Sequence, residues 1–195
     1  MTHLGLVWGQ LMIKNMVDLN FIVTVFLIVV PAYMANGFAL ILGGGKPLDC
    51  GKKFFDGKRI FGEGKTFKGT FSGVLFGTLG IILEVGILNL LPIDFNFSPT
   101  YILLGFFVSV GAVMGDILGS FIKRRLGLPR GAPAPILDQL DFILVGFLFA
   151  YIFNLQAKLL NLTLIVFLVV IVATPIAHFV GCFIAYKMGK KKEPW

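Results

Sequence analysis

Charge is what this chain has least of. Of its 195 residues only 14% are Asp, Glu, Lys or Arg, against 57% hydrophobic. A soluble domain carries about 25% charged residues, so this chain has too little charge to coat a globule in water. That deficit excludes a soluble enzyme, a disordered tail and a nucleic-acid module. Cysteine is scarce too. Cys50 and Cys182 stand far apart in unlike surroundings, which gives neither a disulfide framework nor a zinc spacing. No cleavable signal sequence is expected, because the first long apolar run begins near Asn20 and nothing after it resembles a small-residue cleavage site. The composition is that of an integral membrane protein with a single polytopic domain.

What the chain does have is long apolar runs. A helix that crosses a bilayer needs about 20 mostly apolar residues, and five stretches qualify: 19–42, 67–91, 100–120, 137–155 and 160–186. The expected fold is an all-α bundle of five transmembrane helices. Residues 4–16 are apolar but too short to span, and read as an interfacial helix. Two long polar loops, 43–66 and 121–136, alternate with brief connections. Of the 17 Lys and Arg residues, all but Lys14 and Lys158 fall in these two loops, at their edges, or in the C-terminal tail. The positive-inside rule makes that side cytoplasmic, with the N-terminus outside and the C-terminus inside.

Small residues recur four apart in three of the spans: Gly69, Gly73 and Gly77; Gly111, Gly115 and Gly119; Ala173, Ala177, Gly181 and Ala185. Such stripes let helix backbones approach closely where lipid supplies no hydrophobic drive. Pro31 is expected to kink the first helix and free backbone groups near Asn36.

Ionisable residues at membrane depth are costly and are functional candidates by default. Asp116 sits near the cytoplasmic end of the third span, and Asp138 and Asp141 open the fourth. At helical spacing Asp116, Ser120 and Lys123 share one face, as do Asp138 and Asp141. Three carboxylates can thus converge, with Lys123, Arg124, Arg125 and Arg130 above them. Oxygen-only ligands select a hard divalent ion, and Mg²⁺ binds one or two carboxylates plus phosphate oxygens. Lys and Arg are the usual partners of polyphosphate. Acids below and bases above describe a metal-bridged nucleotide. A plainer reading makes Asp138 a helix cap, Asp141 a complement to the helix dipole and the bases mere headgroup anchors. It leaves Asp116, inside a glycine-packed helix, without a role. Glu84 is a buried acid with no assigned function, and His178 reads as a packed or hydrogen-bonded helix residue.

The first loop carries a second candidate. Gly64-Lys65-Thr66 resembles the end of a P-loop, yet Arg59 stands where the first glycine belongs, and no strand precedes it. It is not that motif. Glycines beside Lys65, Thr66 and Lys68 at a helix N-terminus can still cradle phosphate through backbone amides.

These residues together resemble a known family. Gly115-Asp116, Ser120, Lys123-Arg124-Arg125 and the run Asp138-Gln-Leu-Asp141-Phe142 are similar to the archaeal CDP-archaeol synthases. These are membrane cytidylyltransferases related to phosphatidate cytidylyltransferase. The likeness extends to the first loop, Asp56-Gly-Lys-Arg-Ile-Phe-Gly-Glu-Gly-Lys-Thr66-Phe-Lys-Gly69, and to Pro31 with Ala35-Asn36. The bacterial phosphatidate enzymes are less similar, since their His-Gly-Gly is absent before Asp138. The resemblance implies a Mg²⁺-dependent reaction of CTP with unsaturated archaetidic acid, giving CDP-archaeol and pyrophosphate. It implies Asp116, Asp138 and Asp141 as ligands of one or two Mg²⁺ ions. Lys123, Arg124, Arg125 and Arg130 become phosphate contacts, with Ser120, Lys65, Thr66, Lys68 and Asn36 in support. Two rival classes are a polyprenol or phytol-type kinase and a small transporter, although a transporter site usually lies near the midplane between repeats.

Overall fold

The computed structural model describes residues 19–92, 97–129, 132 and 134–187. The expected interfacial helix at 4–16 and Arg130 lie outside them. Five helices follow in order: α1 Leu19–Ile41, α2 Phe67–Leu90, α3 Thr100–Arg125, α4 Pro135–Ala157 and α5 Leu164–Lys187. Among the described residues there is no strand, only the isolated bridges Pro47↔Thr66 and Lys53↔Arg59. The first four helices are long and apolar enough to cross a membrane by length and composition, and α5 is 24 residues long. The chain is a multi-pass, all-α membrane protein.

Two tight antiparallel pairs form the bundle, α1 on α2 and α3 on α4, and α5 packs mainly on α4. The glycine stripes set both pairs. A Cβ at Gly73 would stand 2.7 Å from the Ala35 carbonyl oxygen, and one at Gly111 would stand 2.7 Å from that of Val145. Any side chain there would push the helices apart. Of the stripe expected on α5, Gly181 and Ala185 lie outside the described side chains, and the other two residues do not behave this way. Ala173 and Ala177 are exposed, while Val166, Val170 and Thr174 turn to the core. Branched apolar side chains, not small ones, make that contact. Leu27, Ile28, Ile81, Leu104, Val108 and Ile143 fill the centre, where α1 to α4 meet. Helix α1 continues through Pro31 without a break.

One boundary differs from the sequence expectation in a way that matters. The third helix does not end at 120 but runs to Arg125, with Lys123, Arg124 and Arg125 forming its last turn. Cations there complement the negative end of the helix dipole, so a basic run that reads as loop in a hydropathy scan is helical. The second loop is correspondingly shorter than 121–136.

Candidate active site

The first loop is folded by a buried carboxylate. Asp49 Oδ1 accepts from Arg59 Nη2 at 2.6 Å and from the Gly51 amide at 3.1 Å. Its Oδ2 accepts from Arg59 Nε and the Phe61 amide, both at 3.1 Å, and from the Gly62 amide at 2.9 Å. The Arg59 guanidinium, with these amides, holds the Asp49 carboxyl well below the usual carboxylate range. Arg125 then fastens the loop to α3. Its Nη2 donates to the Arg59 carbonyl at 2.5 Å, its Nε lies 3.3 Å from Asp56 Oδ2, and its guanidinium stacks 4.9 Å from the Phe54 and Phe121 rings.

The loop's return leg carries Lys65. Leu48 N donates to the Lys65 carbonyl at 2.8 Å, and Phe67 N to that of Lys46 at 3.2 Å. Thr66 caps α2: its Oγ1 accepts from the Gly69 and Gly44 amides, each at 3.1 Å. The α2 N-terminus expected to cradle phosphate thus has one of its free amides already satisfied.

Beneath this leg lies a cleft of about 320 Å³, lined among others by Asn36, Lys65, Thr66, Asp116, Lys123, Asp138, Asp141 and His178. Its charges interleave. Lys65 Nζ lies 2.5 and 2.6 Å from the two oxygens of Asp116. Lys123 Nζ lies 2.5 Å from Asp138 Oδ1, whose other oxygen accepts from the Ala134 amide at 3.0 Å and so ties down the start of α4. Asp141 is buried, and its Oδ1 accepts from the Phe142 amide at 2.6 Å. Its Oδ2 lies over Gly119, where a Cβ would collide with it. The absence of a side chain on α3 is what admits this carboxylate.

All three predicted carboxylates, Lys123, Lys65, Thr66 and Asn36 therefore meet in one cleft. Ser120, Lys68, Arg124 and Arg125 do not line it. Arg125 is committed to the loop, and Arg124 Nη2 donates to the Pro129 carbonyl at 3.2 Å. Arg124 instead faces a neighbouring pocket with Lys58, Arg59 and Glu63. Two residues were missed. His178 reaches the cleft from α5, and Asp49 organises the loop. A carboxylate before two glycine-rich turns was the only sequence signal for Asp49.

The pattern of the family described as CDP-archaeol synthase, CarS-like, matches residues 16–195. The chain belongs to this family. Among CDP-archaeol synthases, that of Methanococcus aeolicus is 47% identical over 178 residues, covering 89% of this chain and 97% of the relative. That of Methanococcoides burtonii is 42% identical over 173 residues, covering 85% and 99%. A solved structure, described as an intramembrane enzyme for archaeal membrane lipids biosynthesis, matches with a TM-score of 0.69 at 31% identity. It covers 80% of this chain and 90% of that one.

The divalent ion that the CDP-archaeol synthase resemblance implies is tested by the donors present. Among the described residues no three acidic or histidine side chains are grouped closely enough to hold a metal ion by themselves. Two of the carboxylates are instead held by ammonium groups. The donor chemistry nonetheless fits a hard ion, because carboxylate oxygens line the cleft and phosphate oxygens complete such a site. Lys65 and Lys123 supply positive charge where a cation would otherwise be required.

Proposed function

We propose that this cleft transfers the CMP moiety of CTP to the phosphate of an isoprenoid ether lipid. The product is CDP-2,3-bis-(O-geranylgeranyl)-sn-glycerol, and pyrophosphate leaves. The observation that carries this reading is the pairing of Lys65 with Asp116 and of Lys123 with Asp138 in one cleft, in a member of the CDP-archaeol synthase family. Acids and ammonium groups that neutralise each other at rest can re-pair when a polyanion and its counter-cation enter together.

The nucleophile would be a lipid phosphate oxygen, already ionised at neutral pH. A bond forms from that oxygen to the α-phosphorus while the bond from α-phosphorus to the bridging oxygen breaks. No general base is needed, so catalysis reduces to in-line positioning and charge neutralisation. Asp116, Asp138 and Asp141 would hold Mg²⁺, which supplies positive charge to the phosphate oxygens. Lys65 and Lys123 pass from carboxylate to phosphate. Asn36 and Thr66 offer polar contacts on the α1 and α2 side. By the charge bias of the loops the cleft faces the cytoplasm, and the lipid enters between helices.

Pyrophosphate release by detergent-purified protein tests the reading, with CTP or ATP, Mg²⁺ or EDTA, and an isoprenoid glycerol phosphate. Release is expected only with CTP, lipid phosphate and Mg²⁺ together. ADP formation from ATP and a polyprenol instead would make the protein a kinase. Silence with every nucleotide would overturn the transferase reading in favour of transport.

A further inference from the structure

The tip of the first loop presents the most exposed large apolar side chain among the described residues. Phe55 is 99% exposed. It sits in a closed hairpin: Phe54 N donates to the Lys58 carbonyl at 2.8 Å, Gly57 N donates to the Phe54 carbonyl at 3.0 Å, and Gly57 takes φ +76°. The turn is therefore built, and Phe55 is held out from it.

Where the hairpin sits decides what Phe55 meets. Phe54 packs edge-on against Phe121 of α3 at 5.4 Å, and Arg125 stacks on both rings. At about 100° per residue, Phe121 and Arg125 fall within about 60° of Leu118, on the face that also carries Met114. Met114 and Leu118 are exposed on a helix long enough to span, so this face looks into lipid. The hairpin is docked on this same face of α3, against its final turn. Its charges suit that place. Lys52 and Lys53 are exposed, and the tip's acid, Asp56, lies against Arg125.

We propose that residues 52–58 form a membrane-interface anchor, seating Phe55 in the headgroup region of an anionic bilayer with Lys52 and Lys53 on its phosphates. An aromatic side chain flanked by lysines is the usual composition of an interfacial contact, and each basic residue near an anionic surface adds attraction. Because the same loop carries Lys65 to Asp116, the anchor fixes the cleft's cover relative to the bilayer. The inference does not depend on which reaction the cleft performs.

The test uses the full chain with Phe55→Cys in a Cys50→Ser, Cys182→Ser background, spin-labelled and reconstituted into vesicles. Leu118→Cys and Lys46→Cys serve as lipid-facing and water-facing references. In phosphatidylglycerol vesicles the ratio of oxygen to nickel-chelate accessibility at position 55 is expected to exceed that at 46 by at least about threefold, approaching that at 118. It is expected to fall in phosphatidylcholine, and Lys52→Ser with Lys53→Ser is expected to remove that lipid dependence. A ratio at 55 equal to that at 46 in both lipids overturns the proposal. Spin–spin broadening at 55 that vanishes on dilution with unlabelled protein also overturns it, by assigning the tip to a second copy of the chain.

Discussion

Lys65 chelates Asp116 through both carboxylate oxygens, across 51 residues of sequence, and joins the first loop to the middle helix of the bundle. In the proposed reaction both members act on the same bound nucleotide, and they are expected to fail together. Lys65→Met and Asp116→Asn should each lower kcat/KM for CTP by about 100-fold, or about 2.7 kcal/mol. The double variant should lose little more than either single one, because residues acting as one device are strongly non-additive. Losses that multiply to about 10⁴-fold would mean that the two act separately. A full kinetic cycle on folded, membrane-inserted protein decides it.

Asp141 depends on empty space. A Cβ at Gly119 would collide with its carboxylate, whereas a Cβ at Gly37 meets nothing within 4 Å. Gly119→Ala is expected to displace the acid, cost about 1–3 kcal/mol in stability and lower kcat by more than tenfold. Gly37→Ala should leave both within about 0.5 kcal/mol of the parent. Asp141→Asn keeps the volume and removes the charge, and is expected to abolish turnover in a protein that still folds and inserts. Activity above about a tenth of the parent, a cost under about 1.4 kcal/mol, would exclude an essential ligand.

The helices were legible because membrane spans are written in composition. Each satisfies its own backbone, and lipid demands about 20 apolar residues whatever the neighbours are. The two glycine stripes that set α1 on α2 and α3 on α4 were legible for a related reason, since close backbone approach leaves a fixed repeat. The described half of the third stripe misled. Spacing alone cannot tell a small residue facing a helix from one facing lipid, and Ala173 and Ala177 face outward. Helical geometry also brought Asp116, Asp138 and Asp141 toward one cleft. What it could not supply was their partners. Lys65 comes from another element and Lys123 crosses to α4, so the expected bare acidic cluster is an alternation of acids and ammonium groups. The basic run 123–125 divides for the same reason: Lys123 enters the cleft, while Arg124 and Arg125 point to the loops.

Asp49 gives a prediction in pH. Its carboxyl is held low by the Arg59 guanidinium and then by the amides of Gly62, Gly51 and Phe61. A carboxylate depressed in the folded loop contributes stability that is fully present above its unfolded pKa, about 3.9, and is lost as pH falls below it. Hydrogen-exchange protection of the Phe61 and Gly62 amides, both donors to Asp49, should therefore be flat from about pH 8 to about pH 5 and decline below about pH 4. Asp49→Asn removes the charge at every pH. It should lower protection of these amides at least about tenfold at pH 7 while leaving α3 and α4 unaffected. Unchanged protection in the variant would show that the hairpin bonds hold the loop alone.

Arg125 and Lys123 lie two residues apart on one helix turn, and the structure separates their roles. Arg125 touches the Arg59 carbonyl, Asp56, Phe54 and Phe121, all of them loop or helix surface. Lys123 touches Asp138 inside the cleft. Arg125→Ala is therefore expected to speed hydrogen exchange throughout residues 52–60, and to lower kcat/KM only through the loosened loop. Stiffening the loop from elsewhere should restore activity, as a cross-link between cysteines placed at 52 and 60, whose backbones pair in the hairpin and which leaves the Asp49–Arg59 pair in place, would do. Lys123→Ala should leave exchange in 52–60 unchanged and raise KM for CTP by about tenfold or more, because a charge-assisted phosphate contact is worth roughly 1.5–3 kcal/mol. No cross-link should rescue it. If instead Arg125→Ala raised KM for CTP with normal loop protection, its guanidinium would have to leave both aromatic rings to reach phosphate. The cleft would then extend over the α3 terminus in the substrate-bound state.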